Sequence, residues 1–277
     1  MRADVLDGTF LCPACGFRNS GLPVEINRVA RIDEDARDAA LRTLRFANFA
    51  QLLDDCADLL PRGASVLDVG CAHGWFLEAA KSRGLHAAGI EPDDDMAARA
   101  RASGHDVVHG FFPDALPTGA LYDAITFNDV FEHLPDVGAM ARVLPGALRP
   151  GGVVIVNLPV SDGLVFRLSR QAARLGLRGP LQRMWQVGLP SPHLSYFSAA
   201  TVPRLFAANG FTLVRSGPLE AVITEGLYER IRYDRAVGPV KAAALYAAAR
   251  MVKLAVGAFP SDIQYFVFRP AGPPLPA

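Results

Sequence analysis

Short apolar runs separated by helical stretches fill the chain from residue 65 onward, and this alternation leaves few folds open. The runs are Ser65–Val69, His86–Ile90, Asp106–His109, Tyr122–Asn128, Val153–Leu158, Phe211–Ser216 and Gln264–Phe268. Gly74–Arg83, Asp94–Ser103, Asp136–Leu148 and Thr201–Asn209 place apolar residues at helical spacing between them. Strands apolar on both faces must be covered on both faces. The pattern therefore predicts an α/β fold built on a seven-stranded, mainly parallel sheet with helices on both faces. In such sheets ligands bind at the carboxyl ends of the strands, where the strand order reverses. Upstream, Leu41, Leu44, Phe49, Leu52, Leu53, Cys56, Leu59 and Leu60 mark one amphipathic helix within Asp35–Leu60, stopped by Pro61-Arg62-Gly63. Residues 1–35 read as an irregular extension carrying one Cys12-Pro13-Ala14-Cys15 pair, and residues 36–277 as a single domain with an insertion at about 160–192.

Composition narrows the partners. With 51% hydrophobic residues among 277, the chain has ample material for a core without disulfides. Its 28 Lys+Arg balance 28 Asp+Glu, so no net field draws in a polynucleotide, and nucleic acid is not an expected partner. Four cysteines make no disulfide framework, and Met1–Phe10 lacks the basic-then-apolar pattern of a secretory signal, so a cytoplasmic location is expected. Val237–Phe259 comes nearest to a membrane span but is interrupted by Lys241, Arg250 and Lys253.

The first run leads into Asp68-Val69-Gly70-Cys71-Ala72-His73-Gly74-Trp75. A glycine turn that opens a helix lets a ligand approach the backbone and the helix N–H groups. A dinucleotide fingerprint would put glycine at 70, 72 and 75, where this chain has Gly70, Ala72 and Trp75. That mismatch disfavours an NAD(P)-dependent oxidoreductase, the first alternative reading. The second run ends in Gly89-Ile90-Glu91-Pro92, an acid placed to accept from ribose hydroxyls. The fourth begins Tyr122-Asp123-Ala124-Ile125 and continues to Glu132-His133-Leu134-Pro135-Asp136, and Leu148-Arg149-Pro150-Gly151-Gly152 precedes the fifth.

Together these segments resemble the class I S-adenosylmethionine (SAM) dependent methyltransferases, in the small-molecule branch that holds ubiquinone O-methyltransferases and sugar methyltransferases. The resemblance spans about residues 41–269 and implies a Rossmann-like sheet with SAM as cofactor. By the same resemblance Asp68, Gly70 and Gly74 cradle the methionyl part and Glu91 holds the ribose. Phe111 and Phe112, after Gly110, border the adenine, with Asp114 the nearest acid there. Asn128 and Asp129 lie under the methionine and the methyl group.

On the acceptor side, Pro190-Ser191-Pro192-His193-Leu194-Ser195-Tyr196-Phe197-Ser198 resembles an element that follows the fifth strand in one branch of these enzymes. It makes His193 the leading general base, with His133 in reserve. The competing readings are a histidine that fixes its loop and, for Glu132-His133, a capping acid beside a packed ring. Arg167, Arg170, Arg174 and Arg178 form a basic stripe in the insertion. It reads as a face for a phosphate-bearing acceptor or an anionic membrane surface, or as a solvated helix face. Cys12 and Cys15 have the spacing of half a zinc ribbon without its second pair, so no metal site is assigned. A non-catalytic zinc-ribbon interaction protein is the second alternative. The expected activity is O-methylation of a small-molecule or glycan hydroxyl; the sequence leaves the oligomeric state open.

Overall fold

The computed structural model describes residues 1–25, 34–221 and 260–272, together with residues 228, 238–240, 242–244, 246, 247 and 250. All seven predicted runs are strands of one sheet. Five of them, β4 (Ser65–Val69), β5 (His86–Glu91), β6 (Asp106–His109), β7 (Tyr122–Asn128) and β8 (Leu148–Pro159), lie parallel. The last strand, β11 (Ile263–Pro270), inserts antiparallel between β8 and β10 (Phe211–Leu219). The order is β10-β11-β8-β7-β4-β5-β6. The chain runs outward from β4 to β6 and then returns to β7 beside β4, so the strand order reverses at the β4–β7 seam and opens a crevice at its carboxyl end.

Period-two alternation sorts the sheet's side chains into two cores. On β8, Val153 and Ile155 face one layer while Val154, Val156 and Leu158 face the other. The first layer is covered by α1 (Glu34–Asp55) and α2 (Trp75–Ser82), whose Phe49 and Phe76 meet edge to face at 5.3 Å. Phe127, Phe131, Phe206 and Phe268 fill the second, beneath α7 (Thr201–Ala208). Helix starts are capped as short polar residues allow. Asp93 accepts from Met96 N–H (2.9 Å) at α3 (Asp94–Ala102), and Asp136 from Ala139 N–H (2.7 Å) at α4 (Val137–Val143). The helical run expected through Leu148 tightens into a 3-10 turn at Leu144–Ala147, where Pro145 removes an amide donor.

The N-terminal extension is not irregular. β1 (Arg2–Ala3), β2 (Thr9–Leu11) and β3 (Arg18–Ser20) form an antiparallel sheet completed by β9 (Ser195–Tyr196). These strands are two or three residues long, too short for alternation to show in the sequence. Leu6 packs with Phe166, Leu181, Trp185 and Tyr196, which joins the extension to the insertion helices α5 (Leu164–Arg174) and α6 (Gly179–Met184).

This packing also changes the meaning of the arginine stripe. Arg170 and Arg18 both bond Asp4 (3.2 and 3.0 Å), and Arg178 bonds Asp7 (2.8 Å). Two of the four stripe arginines therefore tie the insertion to the extension. Cys12 and Cys15 sit at the tip of the β2–β3 turn as free thiols. Most of Val237–Phe259 lies outside the described residues, and among those described no helix is long and apolar enough to cross a membrane.

Candidate functional site

At the carboxyl end of β4, Asp68 is buried and its Oδ1 accepts from Thr126 Oγ1 (2.7 Å) and Asn128 Nδ2 (2.9 Å), both on β7. Both bonds fall on one oxygen, which leaves Oδ2 lone pairs to receive an ammonium. Burial pushes the Asp68 carboxyl up to about 7, against the lowering effect of its two donors. A cationic ligand beside it would restore the ionised form.

The loop that follows is held in left-handed backbone conformations at Gly70 (φ +71°), Ala72 (φ +44°) and Gly74 (φ +76°). A side chain at Gly70 would also come within 2.6 Å of Val130 Cγ2, so both backbone and packing require glycine there. Ala72 adopts the same region with a Cβ, at the small cost its size allows. Glu91, at the end of β5, fixes this loop from below. Its Oε2 accepts from Ala72 N–H (2.8 Å) and its Oε1 from Asp93 N–H (2.9 Å). Each oxygen keeps a second lone pair, and the pair of oxygens suits two vicinal hydroxyls. The sequence placed Glu91 at a ribose but did not reveal that it braces the glycine loop.

After β6, Gly110 N–H bonds Glu91 O (3.0 Å) and brings Phe111 and Phe112 to the cavity edge. Phe111 is 59% exposed and free to stack on a flat ring, whereas Phe112 is buried edge-on against Phe127 (6.2 Å). Asp114 lies outside the cavity lining. After β7, Asn128 is occupied with Asp68, and Asp129 (φ +53°) forms an ion pair with Arg45 of α1. Arg45 was not singled out from the sequence, because nothing in a helix pattern shows which loop it will meet.

The opposite wall gathers residues from distant segments. Glu132 and His133 lie on a 3-10 turn (Phe131–His133) after β7, and His193 precedes β9. The His133 and His193 rings meet at 4.8 Å between centroids. Glu132 Oε1 is 3.9 Å from Nε2 of each ring. His133 Nδ1 lies 2.9 Å from Pro192 O and 3.2 Å from Ser191 Oγ. His193 Nε2 lies 2.9 Å from the Gln186 side-chain amide.

Burial raises the Glu132 carboxyl to about 8, with its own amide and Arg45 pulling the other way. The same burial, reinforced by His133, lowers His193 to about 3. An imidazole held that low is neutral at neutral pH, with one N–H and one lone pair. It can bond or position an acceptor but is a weak proton store.

Both walls line one cavity of about 1370 Å³, together with Arg45, Met184, Gln186 and Tyr196. Gly70, Glu91, Phe111, Phe112, Asn128, Asp129, His133 and His193 are part of that lining, whereas Asp68, Gly74, Asp114 and the stripe arginines are not. Asp68 stands immediately behind it through Asn128, and Gly74 within the loop that forms it.

Residues 41–216 match the methyltransferase-domain family. A ubiquinone biosynthesis O-methyltransferase from Xanthomonas axonopodis pv. citri (strain 306) is 30% identical over 129 residues, which are 43% of this chain and 53% of that protein. The chain thus spans about half the length of the curated relative it matches. Among solved structures, a SAM-dependent methyltransferase from Archaeoglobus fulgidus superimposes with a TM-score of 0.54 at 14% identity, covering 84% of this chain and 98% of the other. Another, from Geobacter sulfurreducens in complex with S-adenosyl-L-homocysteine, gives 0.51 at 14% identity over 88% and 99%. At these identities the structures speak to the fold, and they share it.

Proposed function

Since the chain belongs to the methyltransferase family and is a SAM-dependent methyltransferase of class I fold, we propose that it methylates a hydroxyl oxygen of a small-molecule or glycan acceptor. The observation that carries this reading is the cavity's division into two chemically distinct walls. One offers the Asp68 carboxyl behind the start of a left-handed glycine loop and the Glu91 carboxyl bonded to the middle of that loop, groups suited to an ammonium and to ribose hydroxyls. The other offers two imidazoles and a carboxyl, a set suited to a hydroxyl and its proton.

SAM supplies an electrophilic methyl group on a sulfonium. This chain's residues do the rest. Asp68 receives the ammonium and Glu91 the ribose hydroxyls, while Phe111 offers a face to the adenine. Asn128 orients Asp68, and Asp129 with Arg45 closes the floor near the methyl position. Across the cavity, His133 and His193 accept or donate one hydrogen bond each to place the acceptor oxygen in line. His193, neutral at working pH, suits an alcohol or phenol, whose proton would pass to water in the open cavity as the methyl–oxygen bond forms and the methyl–sulfur bond breaks.

Residues 1–25 of the extension and the insertion (about 160–192) act together as the acceptor cap. A phosphate-bearing acceptor fits Arg183, which lines the cavity, better than the stripe arginines tied to Asp4 and Asp7. Family membership displaces the oxidoreductase and interaction-protein alternatives. The test is to incubate the protein with methyl-labelled SAM and hydroxyl-rich metabolite and glycan fractions, then locate the label by mass spectrometry. Label in an ether supports the reading; label only on nitrogen or carbon sinks it.

A further inference from the structure

Among the described residues, one set of three or more potential metal ligands converges: Glu132, His133 and His193, whose ligating atoms all lie within 4.8 Å of one another. Three features of this cluster are unusual for a packing arrangement. Glu132 is 1% exposed, yet neither carboxyl oxygen has a hydrogen-bond partner. A carboxyl so buried and unpaired is destabilising unless a ligand completes it, as for any buried polar group without a partner. His193 is 5% exposed and its Nδ1 also lacks a partner, while its Nε2, the atom facing Glu132, meets only the Gln186 side-chain amide at 2.9 Å, a contact a cation would displace. His133 shows the opposite treatment: its Nδ1 faces the Pro192 carbonyl at 2.9 Å. A carbonyl only accepts, so Nδ1 carries the proton and the Nε2 lone pair points toward Glu132. That is the outer hydrogen bond that fixes a ligating histidine's tautomer.

We propose that Glu132, His133 and His193 bind a divalent transition-metal cation, best matched by Zn²⁺, on the acceptor wall of the cavity. Bonds of about 2.0–2.1 Å in a tetrahedral site set ligand atoms about 3.4 Å apart. The carboxyl lies 3.9 Å from each imidazole and no two ligand atoms are more than 4.8 Å apart, so side-chain rotations that draw them together by about 0.5 to 1.4 Å close the site. Two histidines and one carboxylate leave a fourth position open toward the cavity, the arrangement of catalytic rather than structural zinc. In that position the cation holds the acceptor oxygen, a role that rests on the methyl-transfer reading above; the binding itself does not. The site was hidden in the sequence because His193 is far along the chain from Glu132-His133.

The test uses the full chain, purified without chelator, in four forms: wild type, Glu132→Gln, His193→Ala and the double variant Cys12→Ser/Cys15→Ser. Metal analysis after dialysis against Zn²⁺ should give one zinc per wild-type chain. It should give the same for the cysteine variant, and at least a tenfold loss of zinc affinity in Glu132→Gln and His193→Ala. S-adenosylhomocysteine calorimetry on every form separates the two readings. Normal binding without zinc overturns the metal site alone, whereas zinc without such binding overturns the cofactor assignment alone. Should either acceptor-wall variant fail to fold, Co²⁺ added to wild type decides. Visible d–d bands of four-coordinate Co²⁺ without thiolate charge-transfer absorption support the site. Thiolate bands, or no bands, overturn it, as does zinc that is lost only from the cysteine variant.

Discussion

On the cofactor wall, Asp68 and Glu91 each have two hydrogen-bond donors, supplied by neighbouring strands and by the loop they brace. Across the cavity, Glu132 has none on either oxygen, and His193 leaves one ring nitrogen unmatched. Both walls are buried, so burial alone does not explain the contrast. A wall whose polar groups are already aimed and satisfied is preorganised for a ligand of fixed shape. A wall whose groups are left incomplete takes its final geometry from what binds there, be it an acceptor hydroxyl or a cation.

The largest effect should come from breaking the preorganised wall's backbone. Gly70→Val demands a left-handed backbone of a β-branched residue and drives its Cβ into Val130, 2.6 Å away in the native loop. S-adenosylhomocysteine affinity is expected to fall by a factor of about 100 or more, equivalent to roughly 3 kcal/mol of strain and lost contacts. Near-normal affinity in calorimetry would show that the loop does not shape the cofactor site.

Next in size, His193→Ala breaks the other wall. Turnover should fall about 100-fold, the scale of one positioned acid–base or orienting group, while S-adenosylhomocysteine affinity stays within about twofold. A matching loss in both quantities would mean that His193 acts through the fold rather than on the acceptor. Glu91→Ala should have the converse signature and a smaller size. Removing one acceptor that serves two loop amides and the ribose costs about 1–2 kcal/mol, an affinity about five- to thirtyfold weaker. An unchanged dissociation constant would remove Glu91 from the ribose.

The smallest effect is a matter of pH. Burial raises Asp68 in the folded protein to about 7, above its ordinary value of 3.8. Between those values the folded state holds a proton that the unfolded state has released. The Asp68 contribution to stability is therefore present in full below about 3.8 and is lost as pH rises through about 7. The ligand-free protein should melt a few degrees lower at pH 8 than at pH 5, and Asp68→Asn should flatten that part of the profile. Thermal midpoints that match between Asp68→Asn and wild type across this range would contradict the assignment.

Legibility in the sequence divides along the same line as the walls. Asp68, Gly70, Gly74 and Glu91 fall at the ends of consecutive strands, so reading the strands placed them near one another. The seven-stranded sheet was legible for the same reason: each run is long enough to show an apolar pattern. The acceptor wall was legible only as separate residues. Strands of two or three residues, such as Arg18–Ser20 and Ser195–Tyr196, carry no periodic signal, and their pairing brings the N-terminal turn beneath His193. Ser20 Oγ even donates to His193 O (2.7 Å), a contact between residues no local pattern connects. The same long-range assembly turned two of the four stripe arginines, Arg170 and Arg178, into anchors on Asp4 and Asp7, and set Arg45 on Asp129.

The independence of the two walls is the account's central claim, and calorimetric titration with S-adenosylhomocysteine tests it most directly. Wild type and the double variant Glu132→Gln/His193→Ala should bind it with dissociation constants within about twofold of each other, because every polar contact assigned to the cofactor lies on Asp68, Glu91 and their loop. A tenfold or greater weakening in the double variant would show that the acceptor wall helps build the cofactor site, and would contradict the division.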